Sequence, residues 1–272
     1  MGLCLKVAAV IVARNEERYL PETLKSLRRQ TFPLELIVVV NDGSTDRTGE
    51  IAREMGCYVV DLPFHEESYV GRPELARVWN EGLRVVKEKG GFDYVLLLGA
   101  DHPLPPTYVE DLLSRIRENP NIAVASGRIE GEAYNENAPR GSGRIVNVNF
   151  WVKANGMQYP IGWGWESWLC FKALQMGYEV KCFLDIVSKT LRPTGLRKAS
   201  MWGKAMWALG YDWKYALGRC LLMFLRSPKA GWDMFWGWII HKDVKKLDIA
   251  EFINKMQKKN FWKKIRYVVI RK

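Results

Sequence analysis

The sequence predicts an α/β protein: a mostly parallel central sheet flanked by helices, with a helical, aromatic and basic extension at the C-terminal end. Two observations carry this prediction. Short β-branched runs alternate with segments of helical spacing through the first 120 or so residues. The composition then changes, since 11 of the 12 tryptophans lie beyond position 150 and a net charge of +8 sits in residues 242–272.

The elements follow in order. Val7 to Val12 is an apolar, β-branched run that suits a buried parallel strand. Glu17 to Gln30 carries Leu20, Leu24 and Leu27 at helical spacing, and Leu34 to Val40 is a second strand. Asp46 to Met55 reads as a helix, Tyr58 to Asp61 as a third strand, Glu74 to Lys87 as a helix and Tyr94 to Leu98 as a fourth strand. Pro106 to Asn119 opens on prolines and places Val109, Leu112, Leu113 and Ile116 on one face, as a helix does. Gly127 to Arg144 is polar and glycine-rich and reads as a mobile loop. Beyond Met201 come apolar, Trp-rich helical segments, with Trp232, Phe235, Trp236, Ile239 and Ile240 at helical spacing.

Composition narrows the function classes. With 272 residues and 48% hydrophobic content, the chain can bury one large core plus an appendage. No stretch of about 18 uncharged apolar residues is present, which argues against a spanning helix, and Leu3 to Ala13 lacks the cleavage site of a signal peptide. Five scattered cysteines without CxxC spacing read as reduced thiols of a cytoplasmic protein, not as disulfides or zinc ligands. The first strand is followed by neither GxGxxG nor a P-loop, which argues against the usual dinucleotide and NTPase sites.

In parallel sheets, ligands bind outside the carboxyl ends of the strands. Those ends read Ala13-Arg14-Asn15-Glu16-Glu17, Asn41-Asp42-Gly43-Ser44-Thr45-Asp46 and Gly99-Ala100-Asp101-His102. Glu16, Asp42 and Asp101 are therefore expected to converge on one edge. Carboxylates gathered there suit a cation shared with a phosphate, or contacts to a base and ribose. The plainer alternative is that Asp42 to Asp46 forms only a turn and a helix N-cap.

Together, Val10 to Glu17 (VIVARNEE), Leu24 to Thr31 (LKSLRRQT) and Glu35 to Thr48 (ELIVVVNDGSTDRT) resemble the nucleotide-binding half of the family 2 glycosyltransferases, which have the GT-A fold. The resemblance is dense from about Val7 to Glu110 and resumes around Gly162 to Tyr178. It implies a catalytic domain over 1–195, with a nucleotide-binding half to about 110 and an acceptor half after it, and leaves 196–272 as the extension. It further implies that Ala13, Arg14 and Glu16 border the nucleobase, that Asp42 accepts a ring N–H, and that Ala100 and Asp101 complete the nucleotide site. The donor is then a UDP- or GDP-sugar.

The family's metal motif, Asp-x-Asp, reads Gly99-Ala100-Asp101 here. Asp101 is the implied ligand of Mg²⁺ or Mn²⁺; the adjacent His102 is a candidate second donor, the alternative being a plain polar loop residue. The family's Gly-rich loop ending in two acidic residues reads Gly162-Trp163-Gly164-Trp165-Glu166-Ser167, which assigns the base to Glu166, with Trp163 and Trp165 placed to stack on a sugar. Desolvation by those tryptophans is expected to raise the basicity of Glu166, while Glu130, Glu132 and Glu136 are the alternatives. Arg192 and Lys198 are candidates for diphosphate contacts.

The reading is an inverting glycosyltransferase of the cytoplasm. Its acceptor is lipid-linked or an envelope glycan, and its extension either contacts the inner face of a membrane peripherally or packs its aromatics on the α/β core or on a second subunit; no nucleic acid is expected. The alternatives are a nucleotidyltransferase and a nucleotide-sugar-binding or scaffold protein without turnover.

Overall fold

The computed structural model describes residues 5–132, 135–192, 199–240 and 244–269. The first stretch alternates as its sequence pattern predicts: β1 (Val7–Ala13), α1 (Leu20–Arg28), β2 (Leu36–Asn41), α2 (Thr48–Glu54), β3 (Tyr58–Asp61), α3 (Glu74–Lys89), β4 (Tyr94–Gly99) and α4 (Tyr108–Glu118). There follow β5 (Ile122–Ile129), β6 (Arg144–Asn147), α5 (Val148–Asn155), α6 (Trp165–Gln175) and β7 (Glu179–Ser188). The remainder is helical: α7 (Ala199–Ala208), α8 (Trp213–Arg226), α9 (Pro228–Ile239) and α10 (Ala250–Val269).

The chain packs as two compact units. One comprises residues 1–68, 77–159 and 176–194 and holds a seven-stranded sheet of order β3-β2-β1-β4-β6-β5-β7. β3, β2, β1 and β4 are parallel, and β6 runs antiparallel between β4 and β5. The chain moves outward from β1 to β3 and then returns to place β4 on the other side of β1. The carboxyl ends of β1 and β4 thus flank the point where strand order reverses, the position at which such sheets bind ligands. Registers Ala13↔Asn41 and Val12↔Gly99 bring the three strand ends to one level.

Burial explains the pattern. Val7 to Ile11 are wholly buried because helices cover both faces of a central parallel strand. Val109, Leu112, Leu113 and Ile116 of α4 are at most 3% exposed, as their spacing requires, and each contributes about 1.5–3 kcal/mol. Helix α1 starts later than periodicity suggests. The Glu16 carbonyl accepts from the amides of Tyr19 (3.0 Å) and Leu20 (2.9 Å), so the chain turns first, and Pro21 then sits in the first helical turn, where its missing N–H costs nothing.

The segment read as a mobile loop is largely fastened. Its ends belong to β5 and β6; Tyr108 donates to the Gly143 carbonyl and accepts from the Gly127 amide, both at 2.8 Å. The Arg140 amide donates to Ser126 Oγ at 2.8 Å, and its guanidinium pairs with Glu132.

The second unit comprises 69–76, 160–175 and 195–272. Ala199, Met206, Ala216, Cys220, Ala230 and Met234 form its core, with Trp202, Phe235 and Trp238 packed against them. Helices α7 and α9 cross closely because both carry glycine at the crossing. A Cβ on Gly203 would lie 2.1 Å from the Met234 carbonyl oxygen, and one on Gly237 would lie 2.1 Å from that of Ser200.

This geometry reverses the usual sign of a glycine substitution. Ala normally stabilises a helix interior by up to about 1 kcal/mol, and Gly218→Ala, in α8 with nothing within 4 Å of the new methyl, should do so. Gly203→Ala must instead separate two backbones and should cost about 2 kcal/mol. Urea unfolding of the two variants distinguishes them, and a Gly203→Ala protein as stable as wild type would contradict the crossing.

Candidate functional site

The loops after β1 and β2 are stapled together by the residues between them. The Asn15 amide donates to Ser44 Oγ (3.0 Å) and the Glu16 amide to Thr48 Oγ1 (2.8 Å), while the Thr45 amide donates to Asn15 Oδ1 (2.8 Å). Asn15 adopts a left-handed backbone (φ 53°) to do this, a conformation asparagine tolerates. Asp46 accepts from the amides of Glu17 and Thr48 at 3.1 and 3.0 Å. The plainer reading of this segment therefore holds for Ser44, Thr45, Asp46 and Thr48, which are structural.

Asp42 stands apart from them. It is 3% exposed, and its amide donates to the Ala13 carbonyl at 2.8 Å. Its Oδ1 lies 3.0 Å from His65 Nε2. The Arg14 guanidinium packs on the His65 ring and donates to the carbonyls of His65 and of Glu67 (2.9 Å). Ala13 and Ala100 are buried, and the Ala100 carbonyl accepts from Thr23 Oγ1 at 2.8 Å, which fixes the end of β4 to α1.

Glu16 and Asp101 meet across the strand-order reversal, and one cation bridges them. Arg192 Nε donates to Asp101 Oδ2 at 2.9 Å, and its Nη2 pairs with Glu16 Oε1. The same guanidinium lies 5.0 Å from the centroid of the Tyr19 ring. Glu16 is 8% exposed, and its Oε2 is buried without a hydrogen-bond partner. Burial pushes the Glu16 carboxyl above its ordinary value, although the hydrogen bond and charge of Arg192 pull it down. Gly99 donates its amide to Ser142 Oγ at 2.9 Å, and a Cβ at Gly99 would lie 3.1 Å from Asp101 Oδ1. The missing first aspartate thus leaves room that the Ser142 hydroxyl occupies.

The structure redirects His102. It is fully buried, with Nδ1 2.7 Å from Ser142 Oγ and Nε2 2.9 Å from Ser188 Oγ. Burial lowers its pKa to about 4, against the opposing charge of Asp101, so the ring is neutral. Both nitrogens are engaged by serine hydroxyls, and the ring ties β4 to β7 and to the segment before β6. Among the described residues, no three His, Cys, Asp or Glu side chains gather to hold a metal by themselves.

Glu166, Trp163 and Trp165 belong to the second unit. Glu166 is exposed in the first turn of α6, whereas Trp165 is buried and donates to the Arg72 carbonyl at 3.1 Å. Trp168 is also buried and donates to Asp248 Oδ1 at 2.6 Å. Trp165 and Trp168 thus turn into the core and leave Glu166 exposed, where enclosure by its tryptophan neighbours was expected. Trp163 is half-buried, with Lys204 Nζ 4.8 Å from its ring centroid. Among the alternatives, Glu132 pairs with Arg140, and Glu130 lies 3.6 Å from Lys189 Nζ. Lys198 lies outside the described residues.

His65 extends the site beyond the sequence reading, and Arg192 takes a place in it that the sequence does not show. His65 follows the end of β3, where the same strand-end rule would have found it. Arg192 was expected on a diphosphate, and its tie to both carboxylates has no signal in the sequence.

Solved structures with this fold include S. aureus TarS 1-349 in complex with UDP-GlcNAc, at 20% identity and TM-score 0.54 over 70% of this chain and 60% of that one. Another is glucosyl-3-phosphoglycerate synthase from Mycobacterium tuberculosis with Mn²⁺, UDP and glucosyl-3-phosphoglycerate, at 16% identity and TM-score 0.57 over 74% and 77%. In sequence, the chain is 34% identical over 122 residues to glycosyltransferase GlyA of Streptococcus pneumoniae, covering 44% of this chain and 16% of that one. It is 50% identical over 58 residues to the 4,4'-diaponeurosporenoate glycosyltransferase of Staphylococcus haemolyticus, covering 21% of this chain and 15% of that one. The chain thus spans about one sixth of the length of these two relatives. The family model described as glycosyl transferase family 2 matches residues 8–172, more than half of the chain, and the protein belongs to that family.

Proposed function

We propose that the chain transfers a sugar from a uridine diphosphate donor to an acceptor hydroxyl, in a single displacement that inverts the anomeric centre. The observation that carries this reading is the set of charges at the strand-order reversal: Asp42 for the base, and Glu16, Asp101 and Arg192 for the diphosphate. The TarS complex with UDP-GlcNAc and the synthase complex with UDP support uridine. So does the Asp42–His65 pair. Guanine presents two donors, N1–H and N2–H, and a carboxylate meets them with both oxygens. His65 already engages one lone pair of Oδ1, which leaves Oδ2 as the less encumbered acceptor and favours the single ring N–H of uracil. The 4,4'-diaponeurosporenoate glycosyltransferases support an acceptor of the lipid class, and the chain is read as using it at the cytoplasmic face of a membrane.

A divalent cation fits the residues present. Two hard carboxylates face each other, one with a buried, unpartnered oxygen, and such a pair needs only diphosphate oxygens and water to complete a Mg²⁺ or Mn²⁺ shell. Asp101 and Glu16 would hold it, and His102 would not. When bound, the cation neutralises the charge that develops on the leaving diphosphate. Arg192 fills the same need at rest; released from the carboxylates, its guanidinium binds the diphosphate. Glu166 takes the proton of the acceptor hydroxyl, an assignment that rests on the family resemblance.

Two experiments test the reading. By calorimetry, UDP should bind about 10-fold or more tightly than GDP, a difference worth one hydrogen bond. Asp42→Ala should weaken UDP far more than pyrophosphate, and His65→Ala should narrow the UDP/GDP gap. Equal loss of UDP and pyrophosphate in Asp42→Ala would make Asp42 a turn residue, and an unchanged gap in His65→Ala would remove the basis for uridine. Separately, Glu166→Gln should lower turnover by about 10²–10⁴-fold without weakening donor binding. Turnover within a few-fold of wild type would show that Glu166 is a helix-start residue. Donor binding without turnover on any acceptor by the wild-type chain would favour the binding-protein alternative.

A further inference from the structure

Ten of the sixteen large hydrophobic side chains exposed among the described residues fall between Trp213 and Ile240, on α8, on α9 and at the C-cap of α9. The concentration does not come from loose packing. These two helices form a hairpin about Ser227, whose Oγ accepts from the Ala230 amide to start α9. Its inner side is filled: Ala216, Cys220 and Met234 are at most 4% exposed, and Gly231 lets α9 approach the Phe224 backbone, since a Cβ there would lie 2.4 Å from it. What remains is a second apolar face. On α8, Leu217, Leu221 and Leu225 recur every fourth residue at 45%, 59% and 74% exposure, with Leu222 at 66%. On α9, Trp232 and Trp236 are 54% and 41% exposed. A helix lying on a water-facing surface would be polar there.

We infer that this hairpin docks on an anionic lipid bilayer and lies in the headgroup region. The charge on the same elements selects that occupant. Lys214, Arg219, Arg226 and Lys229 are exposed beside the apolar face, and the single acid between 213 and 240, Asp233, lies 3.1 Å from Lys229 Nζ. In a two-fold dimer the patch would meet itself and bring these cations together, whereas anionic headgroups complement them. Length decides between lying on and crossing: 14 and 12 residues extend about 21 and 18 Å at 1.5 Å per residue, short of a hydrocarbon core of about 30 Å. Among the described residues, no helix is long and apolar enough to cross a membrane. Exposed tryptophans suit the interface between headgroups and acyl chains.

The inference deepens the acceptor side of the proposed function but rests on a separate surface, so its test uses no donor. The full chain is sedimented with vesicles of phosphatidylcholine, with or without phosphatidylglycerol, and its mass is measured by light scattering. Wild type should partition onto the phosphatidylglycerol vesicles, less strongly as salt rises, and remain a monomer in solution. Leu222→Glu/Leu225→Glu should reduce partitioning by about 10-fold or more while keeping the thermal midpoint and the UDP affinity of wild type. Arg219→Gln/Arg226→Gln should reduce it on anionic vesicles only. Unchanged partitioning in both variants, equal binding to neutral and anionic vesicles, or a dimer that the leucine variant splits would overturn the inference. Loss of UDP binding or turnover in wild type would instead bear on the proposed function.

Discussion

Parallel pairing of β1 with β4 forces two carboxylates together, and much of the site follows from that constraint. Hydrogen bonding fixes Val12 beside Gly99, so the chain leaving each strand delivers Glu16 and Asp101 to the same edge. Two like charges in a partly dry position repel each other strongly and need a cation between them. The fold meets that need internally with Arg192, from the segment following β7. The proposed transfer of a sugar from a nucleoside diphosphate has the same requirement at the same place, because the donor brings further negative charge. The resting ion pair and the proposed catalytic arrangement are thus two ways of neutralising one pair of acids.

The side proposed to hold the nucleobase is built differently, by pre-positioning. The loop after β2 spends its polar residues on the loop after β1: Ser44, Thr45, Asp46 and Thr48 bond to the backbone or side chains of Asn15, Glu16 and Glu17, or to each other. This holds Asp42 still at the end of its strand. A carboxylate restrained in this way loses little freedom when a base arrives, so more of its interaction energy appears as affinity. His65 adds direction by holding one of the two oxygens.

Most of the fold was legible, since the period of the apolar residues changes cleanly between strands and helices up to α4. Legibility fell where partners are distant in sequence. The antiparallel β6, set between β4 and β5, has only four residues, and its neighbours are chosen by sheet completion, not by local pattern. His102 read as a metal ligand because it adjoins Asp101; its real partners, Ser142 and Ser188, lie 40 and 86 residues away. Glu166 shows the converse error. Three tryptophans within three residues of it suggested a dry setting, but a helix start sends neighbouring side chains in different directions, and only Trp165 and Trp168 went inward. The placement of Asp42 and Asp101 on one edge was legible because strand ends in a parallel sheet must converge, a rule of topology that needs no knowledge of partners.

The central claim is that Glu16 and Asp101 form a cation seat which Arg192 occupies at rest. It is tested most directly by the Mn²⁺ affinity of Arg192→Ala against wild type, measured by calorimetry without nucleotide. The account predicts that removing the guanidinium exposes two unneutralised acids and tightens Mn²⁺ binding several-fold, a gain that disappears when Asp101→Asn is added. Equal Mn²⁺ affinity in wild type and Arg192→Ala, or a gain that survives Asp101→Asn, would contradict it.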